Sequence, residues 1–125
     1  PFFRLAEIYL TAAEATVRGG EGMRRDEALA LVNNIRERAY GNNSGNITDS
    51  QMTLDFFIDE RGRELYLECT RRTDLVRFGM FTTDKYLWNW KGGAVDGRAV
   101  DARFNYFPIP ASELSANSNL KNMGY

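Results

Sequence analysis

The sequence of 125 residues contains no histidine and a single cysteine, Cys69. The absence of histidine removes the commonest acid-base and metal-binding side chain at neutral pH. One cysteine excludes an intramolecular disulfide and a cysteine-rich metal cluster. A zinc site would need an unusual ligand set, and a serine or cysteine nucleophile would lack its usual partner. We therefore expect no catalytic residue, no metal site and no cofactor.

A long apolar run and a block of like charges are also missing. No stretch approaches the roughly 18–20 apolar residues that cross a bilayer. The 16 basic and 17 acidic residues are intermixed, which gives no basic surface for nucleic acid or anionic lipid. The chain opens at Pro1 without a signal peptide, and we interpret this start as a cut inside a longer protein.

Two amphipathic segments joined by a short glycine-containing turn predict a helix pair over 3–40. The first helix, 3–18, has one face formed by Leu5, Ile8, Tyr9, Ala12 and Thr16. The second helix, 25–40, repeats the pattern with Ala28, Leu31, Val32, Ile35 and Ala39. Glycines follow both segments, as they do at helix C-termini.

A second helix pair is predicted over 53–79. Thr53 can cap its first helix, which we expect to run to about Glu68. One side of that helix is formed by Leu54, Phe57, Ile58, Leu65 and Cys69. The cysteine is therefore expected to be a small buried apolar residue. A short helix over 72–78 follows and ends at Gly79.

Regular periodicity ends after Gly79, and residues 80–125 predict a long irregular loop and tail. An extended stretch is expected near 102–107, and one helical turn is expected over 111–116. A structureless segment of this length is uncommon inside an independent domain, which suggests packing against parts of a longer protein. The predicted fold class is all-α, with tetratricopeptide-like helix pairs and this irregular C-terminal segment.

A cluster of acidic and basic side chains in 59–77 raises the question of catalysis. Glycoside hydrolysis needs two carboxyl groups facing each other across a sugar, about 5–9.5 Å apart. Glu60, Glu64 and Glu68 project from one side of the predicted helix, but each has arginines three or four residues away. Such arginines would pair with the carboxylates and keep them ionised, whereas a general acid must hold a proton. The cluster therefore predicts structural ion pairs.

Three aromatic residues in the irregular segment, Tyr86, Trp88 and Trp90, are the candidate carbohydrate-binding residues. If this stretch is extended, alternation places Trp88 and Trp90 on the same side. Aromatic rings on a loop can stack on the C–H faces of sugars. Burial against the helices is the competing interpretation, because large aromatic side chains are more often in a core. The adjacent Lys91-Gly92-Gly93 lacks the order of a phosphate-binding loop.

Three stretches of the chain resemble the C-terminal region of the SusD/RagB family. Residues 4–15 resemble a family helix of the form R-x-A-E-x-x-L-x-x-A-E-A. Residues 59–79 resemble its E-R-x-R-E-L…E…R-x-x-D-L-x-R-x-G signature, and residues 106–125 resemble its P-I-P-x-x-E-(L/I) ending. Cys69 stands where the family often has glycine. The order and spacing of these motifs run through the whole chain, 1–125.

The resemblance implies a lipoprotein on the outer membrane of Bacteroidetes-type bacteria, anchored through an N-terminal lipid outside this chain. It further implies non-enzymatic binding of oligosaccharides or polysaccharides, which are handed to a SusC-type TonB-dependent transporter. The family's glycan platform usually draws on earlier regions, so the resemblance does not place it on this loop. Two alternatives remain: a tetratricopeptide-like protein-interaction module without a sugar site, and a glycosidase fragment.

Overall fold

A computed structural model describes residues 3–122 and 124–125; Pro1 and Phe2, at the predicted start, and Met123, in the predicted tail, lie outside the described residues. Regular structure in the described part is entirely helical, which confirms the all-α class. The α-helices are α1 (Leu5–Val17), α2 (Arg25–Tyr40), α3 (Leu54–Glu64), α4 (Arg71–Arg77) and α5 (Ala111–Ala116). Short 3-10 turns lie at Asn43–Gly45, Asp49–Gln51, Lys91–Gly93 and Ala102–Asn105. None of these helices is long and apolar enough to cross a membrane.

The chain forms two compact units, Pro1–Asp74 and Leu75–Tyr125. In the first unit α1 and α2 pack side by side as a helix pair, and α3 packs against α1. The most deeply buried apolar side chains described in this unit are Leu10, Ala13, Ala28, Val32, Met52, Phe57 and Ile58. These residues come from all three helices and from the loop before α3, so they form the core that fixes the helix arrangement.

The buried face of α1 differs from the apolar face that the sequence pattern marks. Leu5 and Ile8 are exposed, whereas the buried positions of the helix are Ala6, Leu10, Ala13 and Glu14. The small side chains of the two alanines let neighbouring helices approach closely. A helix with apolar residues on two sides does not reveal from its periodicity which side faces the core, and packing against α2 and α3 decides it.

Local sequence signals do set the ends of α2 and α3. The backbone N–H of Arg24 donates to the Glu27 carboxylate at 2.9 Å, which satisfies a donor at the start of α2. Gly41 ends the same helix in the left-handed conformation, with φ of 71°. The Thr53 hydroxyl accepts from the backbone N–H of Phe56 at 3.2 Å, so the predicted cap of α3 is confirmed.

The segment between α3 and α4 corrects the prediction that Cys69 is buried. The helix ends at Glu64 rather than near Glu68, and Cys69 is exposed. Two residues of the connection adopt left-handed backbone conformations, with φ of 64° at Leu67 and 60° at Cys69. The helical periodicity that placed the cysteine on the buried side therefore stops before it reaches that residue.

Replacing Cys69 with glycine is expected to stabilise the protein by about 0.5–1 kcal/mol. A residue with a Cβ atom in the left-handed region costs about 1–2 kcal/mol, and the greater freedom of glycine in the unfolded chain offsets part of that gain. Urea denaturation of the full-length variant measures the change. Cys69→Ala is the matched control, since alanine keeps the Cβ atom and should give no gain. Equal stability of the two variants would contradict the strain argument.

The second unit contains less regular structure than the first. Residues 102–107, predicted to be extended, instead begin with the 3-10 turn Ala102–Asn105, and the backbone becomes extended at Tyr106. This turn is capped by the Asp101 carboxylate, which accepts from the backbone N–H of Arg103 at 2.9 Å. The predicted helical turn over 111–116 is confirmed as α5.

The tail after α5 folds back along its own unit. The Asn122 side chain bonds both the N–H and the carbonyl of Ile109, at 2.6 and 3.1 Å. The Tyr125 hydroxyl donates to the Tyr106 carbonyl at 3.0 Å. These contacts give hydrogen-bond partners to backbone groups that lie outside the helices.

Candidate functional site

Glu60 occupies the centre of the charged cluster and is held by two arginines. Its carboxylate accepts from Arg36 of α2 at 2.7 Å and from Arg63 of α3 at 2.7 Å. The Glu60 side chain is buried, so the two guanidinium groups supply the charge and the hydrogen bonds that burial requires. This arrangement confirms the expected local pair with Arg63 and adds a second arginine that the sequence spacing did not indicate.

Glu64 and Glu68 are held mainly from outside their own segment. Glu64 accepts from Arg4 at 2.9 Å and from Arg38 of α2 at 2.6 Å. Glu68 pairs with the same Arg4 at 2.7 Å. The ion pairs are therefore present, but their partners lie far away in the sequence. They tie the residue before α1 to the end of α3.

Arg61 and Asp74 form the most buried ion pair described in the first unit. The Arg61 Nε donates to the Asp74 carboxylate at 2.8 Å, and both side chains are almost completely shielded from solvent. A second Arg61 nitrogen donates to the Thr11 hydroxyl at 3.2 Å. The pair joins α3, α4 and α1, so its geometry is that of a structural brace.

The charged cluster offers no metal site among the described residues. No group of three or more carboxylate or cysteine side chains in the described part of the chain comes together to hold a metal ion. The carboxylates of Glu60, Glu64 and Glu68 already accept hydrogen bonds from arginines. The cluster therefore has the features of a scaffold.

The aromatic residues lie in the second unit on a loop that we call the aromatic loop, residues 80–98. Its tip is a tight turn in which the Trp90 N–H donates to the carbonyls of Ala94 and Val95, at 3.0 and 3.2 Å. The backbone of Trp90 is left-handed, with φ of 71°, and 67% of the residue is exposed. A large side chain that is held outward at a strained backbone position is a feature of binding loops.

Trp88 and Tyr86 lie in the same loop but in different surroundings. The Trp88 ring stacks on Phe81 with centroids 6.2 Å apart, and 41% of the residue remains exposed. Tyr86 is half-buried. The stretch is not extended, because Trp90 lies in a turn, so the condition for placing both tryptophans on one side by alternation is not met. Core burial is not observed for either tryptophan.

The loop closes on itself through backbone contacts that depend on a glycine. The Arg98 N–H donates to the Lys91 carbonyl at 3.1 Å, and the Val100 N–H donates to the Thr82 carbonyl at 2.8 Å. Gly97 has φ of 78°, and a Cβ atom there would lie 2.5 Å from the Trp88 carbonyl oxygen. Only glycine fits this position without a shift of the loop. The aromatic positions are therefore fixed by the closure of the loop.

Fold and site together define an all-α scaffold protein, braced by arginine–carboxylate pairs, that presents aromatic side chains on an irregular loop. The chain belongs to the SusD family, whose model matches residues 1–125.

Curated relatives match the same sequence. The chain is 49% identical to Starch-binding protein SusD of Bacteroides thetaiotaomicron over 128 aligned residues, covering 100% of the chain and 21% of that relative. It is 38% identical to a SusD-like protein of Formosa agariphila, covering 98% of the chain and 24% of the relative. A SusD-like protein of Bacteroides ovatus is 35% identical over 78% of the chain and 18% of its own length. The chain thus spans about a fifth of the length of the curated relatives it matches.

Proposed function

We propose that the full-length protein binds glycans at the bacterial cell surface without cleaving them. The observation that carries this proposal is the similarity of the whole chain to a relative named as a starch-binding protein, at 49% identity. Starch-type polysaccharide is accordingly the first ligand to test. The aromatic loop supports a role in binding, because sugars stack on exposed aromatic rings and Trp90 is held outward.

The absence of catalysis in this part of the protein is supported by the state of its carboxylates. A glycosidase needs an acid and a base or nucleophile facing a common space. Glu60 and Glu64 are instead turned toward arginines in the first unit. Side chains that are already paired and packed in a scaffold are poorly placed to exchange protons with a substrate.

Membership in the family supports a proposal about the partner and the location. We propose that the protein lies at the outer membrane, held by a lipid outside this chain, and hands its glycan to a SusC-type TonB-dependent transporter. Purification of the full-length protein from its native membrane tests the partnership, since the transporter should co-purify. Protease treatment of intact cells tests the location, since a surface protein should be degraded.

Affinity electrophoresis of the full-length protein in gels containing different polysaccharides tests the ligand. Starch or amylopectin should retard migration, and the recovered polysaccharide should show no new reducing ends. Release of reducing ends would establish hydrolysis and contradict the proposal. Failure of every polysaccharide in a broad panel to retard the protein would favour the protein-interaction module.

Replacing Trp90 with alanine is expected to weaken glycan binding about 5- to 30-fold, equivalent to about 1–2 kcal/mol. The lost ring offers an exposed apolar face for a sugar. Isothermal titration calorimetry measures the change, with a soluble oligosaccharide derived from the polysaccharide that retards migration in the gel. Tyr106→Ala is the matched control, since Tyr106 is an exposed aromatic of the same unit outside the aromatic loop. Unchanged affinity in a folded Trp90→Ala variant would place the glycan site elsewhere in the protein.

The protein-interaction module remains a second candidate because α1 carries an exposed apolar face. Leu5 and Ile8 are exposed on the helix, and Phe3 just before it is exposed as well. An exposed apolar patch can mark a site of contact. Binding of a protein partner that is lost on Ile8→Asp but unaffected by Trp90→Ala would support this candidate over glycan capture.

A further inference from the structure

We propose that Lys91 is a positioning residue whose ammonium group serves as an internal cation and holds the aromatic loop in its binding conformation. Lysine is ordinarily among the most exposed residue types. Here the residue is only 3% exposed, within an irregular loop that has little apolar core of its own. A buried ammonium is costly unless it is compensated by hydrogen bonds or charge, so its surroundings show what it does.

Three backbone carbonyls converge on the ammonium nitrogen. Lys91 Nζ lies 3.3 Å from the Met80 oxygen, 2.5 Å from the Thr83 oxygen and 2.7 Å from the Tyr86 oxygen. The acceptors are spaced three residues apart, so the chain from 80 to 86 bends around the nitrogen. An ammonium has three N–H donors, and the number of carbonyls equals the number of donors.

The same ammonium also contacts the Trp88 ring of the aromatic loop. Its nitrogen lies 4.8 Å from the centroid of the Trp88 ring, within the range of a cation–π interaction. Burial lowers the pKa of the Lys91 ammonium from its ordinary value, and the Asp84 carboxylate offsets only part of this shift. The carbonyl dipoles and the ring, together with Asp84, take the place of water around the charge.

The backbone of Lys91 links this carbonyl cage to the tip of the loop. Its N–H donates to the Trp88 carbonyl at 3.1 Å, and its carbonyl accepts from the Arg98 N–H at 3.1 Å. These bonds hold the backbone next to Trp90, the preceding residue, and so set the orientation of its side chain. Removing the cation would take the ammonium donors away from the three converging carbonyls, and the loop would open to hydrate them. Trp88 and Trp90 would then lose their fixed orientation.

Chemical rescue tests the role of the cation. Lys91→Ala deletes the equivalent of propylammonium, so propylammonium can refill the cage, and n-propanol is the uncharged control of similar size. The readout is 19F NMR of the full-length protein labelled with 5-fluorotryptophan, in which the Trp88 and Trp90 resonances are assigned by their loss in Trp88→Phe and Trp90→Phe. We expect both resonances to shift or broaden in Lys91→Ala and to return toward the original positions only with propylammonium, in a saturable way.

Two further variants separate charge from packing. Lys91→Met keeps the length and apolar stem of the side chain but removes the charge and the donors, so its spectrum should resemble that of Lys91→Ala. Lys85→Met removes an exposed lysine of the same loop and should leave both resonances unchanged. Unshifted resonances in Lys91→Met would overturn the proposal, as would recovery with n-propanol or no recovery with propylammonium.

The step from loop position to glycan affinity rests on the proposed function, and the two can be separated. If the loop binds glycan, Lys91→Met should weaken that binding several-fold, with propylammonium restoring affinity to Lys91→Ala. Shifted and rescued resonances without any change in affinity would support the internal cation and contradict glycan binding by this loop. Unshifted resonances together with lost binding in Trp90→Ala would support glycan binding by this loop and contradict the internal cation.

Discussion

Replacing Asp74 with alanine is expected to destabilise the protein by about 3–5 kcal/mol. The change removes the carboxylate that accepts from Arg61 at 2.8 Å and leaves a guanidinium shielded from solvent without its charged partner. Breaking a buried ion pair from one side costs this much because the remaining charge stays desolvated. Urea denaturation of the full-length variant, followed by circular dichroism, measures the loss.

A double-mutant cycle shows whether the cost arises from the pair. Arg61→Met removes the stranded charge while keeping an apolar side chain of similar length. The double variant with Asp74→Ala should therefore lose less stability than the sum of the two single changes. Additive losses would show that the two residues act independently. Arg24→Met is a control, since Arg24 pairs with Asp26 at the surface and its loss should leave the stability nearly unchanged.

Phe57→Ala should cost a similar amount, about 3–5 kcal/mol. Phe57 is the largest fully buried side chain described in the chain, and its ring contacts Phe56 edge-on at a centroid distance of 5.6 Å. Removing a buried ring loses its transfer free energy and leaves a cavity that the packed helices fill only partly. The denaturation midpoint in urea reports the change.

Phe56→Ala is the matched control for this prediction, because the two aromatic residues are neighbours on the same helix. Phe56 is only half-buried, and its ring lies 5.7 Å from the Arg36 guanidinium carbon. Its removal should cost less than half as much as that of Phe57. Equal losses would mean that α3 is not anchored through the face that Phe57 marks.

The predictions that succeeded rest on signals confined to a few neighbouring residues. The bounds of α2 match the prediction, because the carboxylates near its start and the glycine after its end are local. Thr53 caps α3 as expected, and Phe57 lies on the buried face that the helical spacing indicates. The helical periodicity of the predicted pairs indicated the all-α class, which the helices of the described residues confirm.

The predictions that failed depended on contacts or backbone conformations that a one-dimensional pattern does not contain. The buried side of α1 was set by close packing at Ala6 and Ala13 rather than by the larger apolar residues. Cys69 became exposed because left-handed residues interrupt the helical spacing before it. Residues 102–107 began with a 3-10 turn where an extended stretch was expected.

The sequence by itself determined the helical class and the starts and ends of α2, because periodicity and capping are properties of nearby residues. It also determined the membership in a family, because the order of short motifs along a chain can be read without a structure. Tertiary structure alone decided that Arg4 and Arg38 meet Glu64 and that Lys91 is enclosed by three carbonyls. A lysine beside two glycines gives no sign of burial, since lysine is usually solvated. The burial arises only when the chain bends so that carbonyls five, eight and eleven residues away point at one nitrogen, and the residue pattern does not encode that convergence.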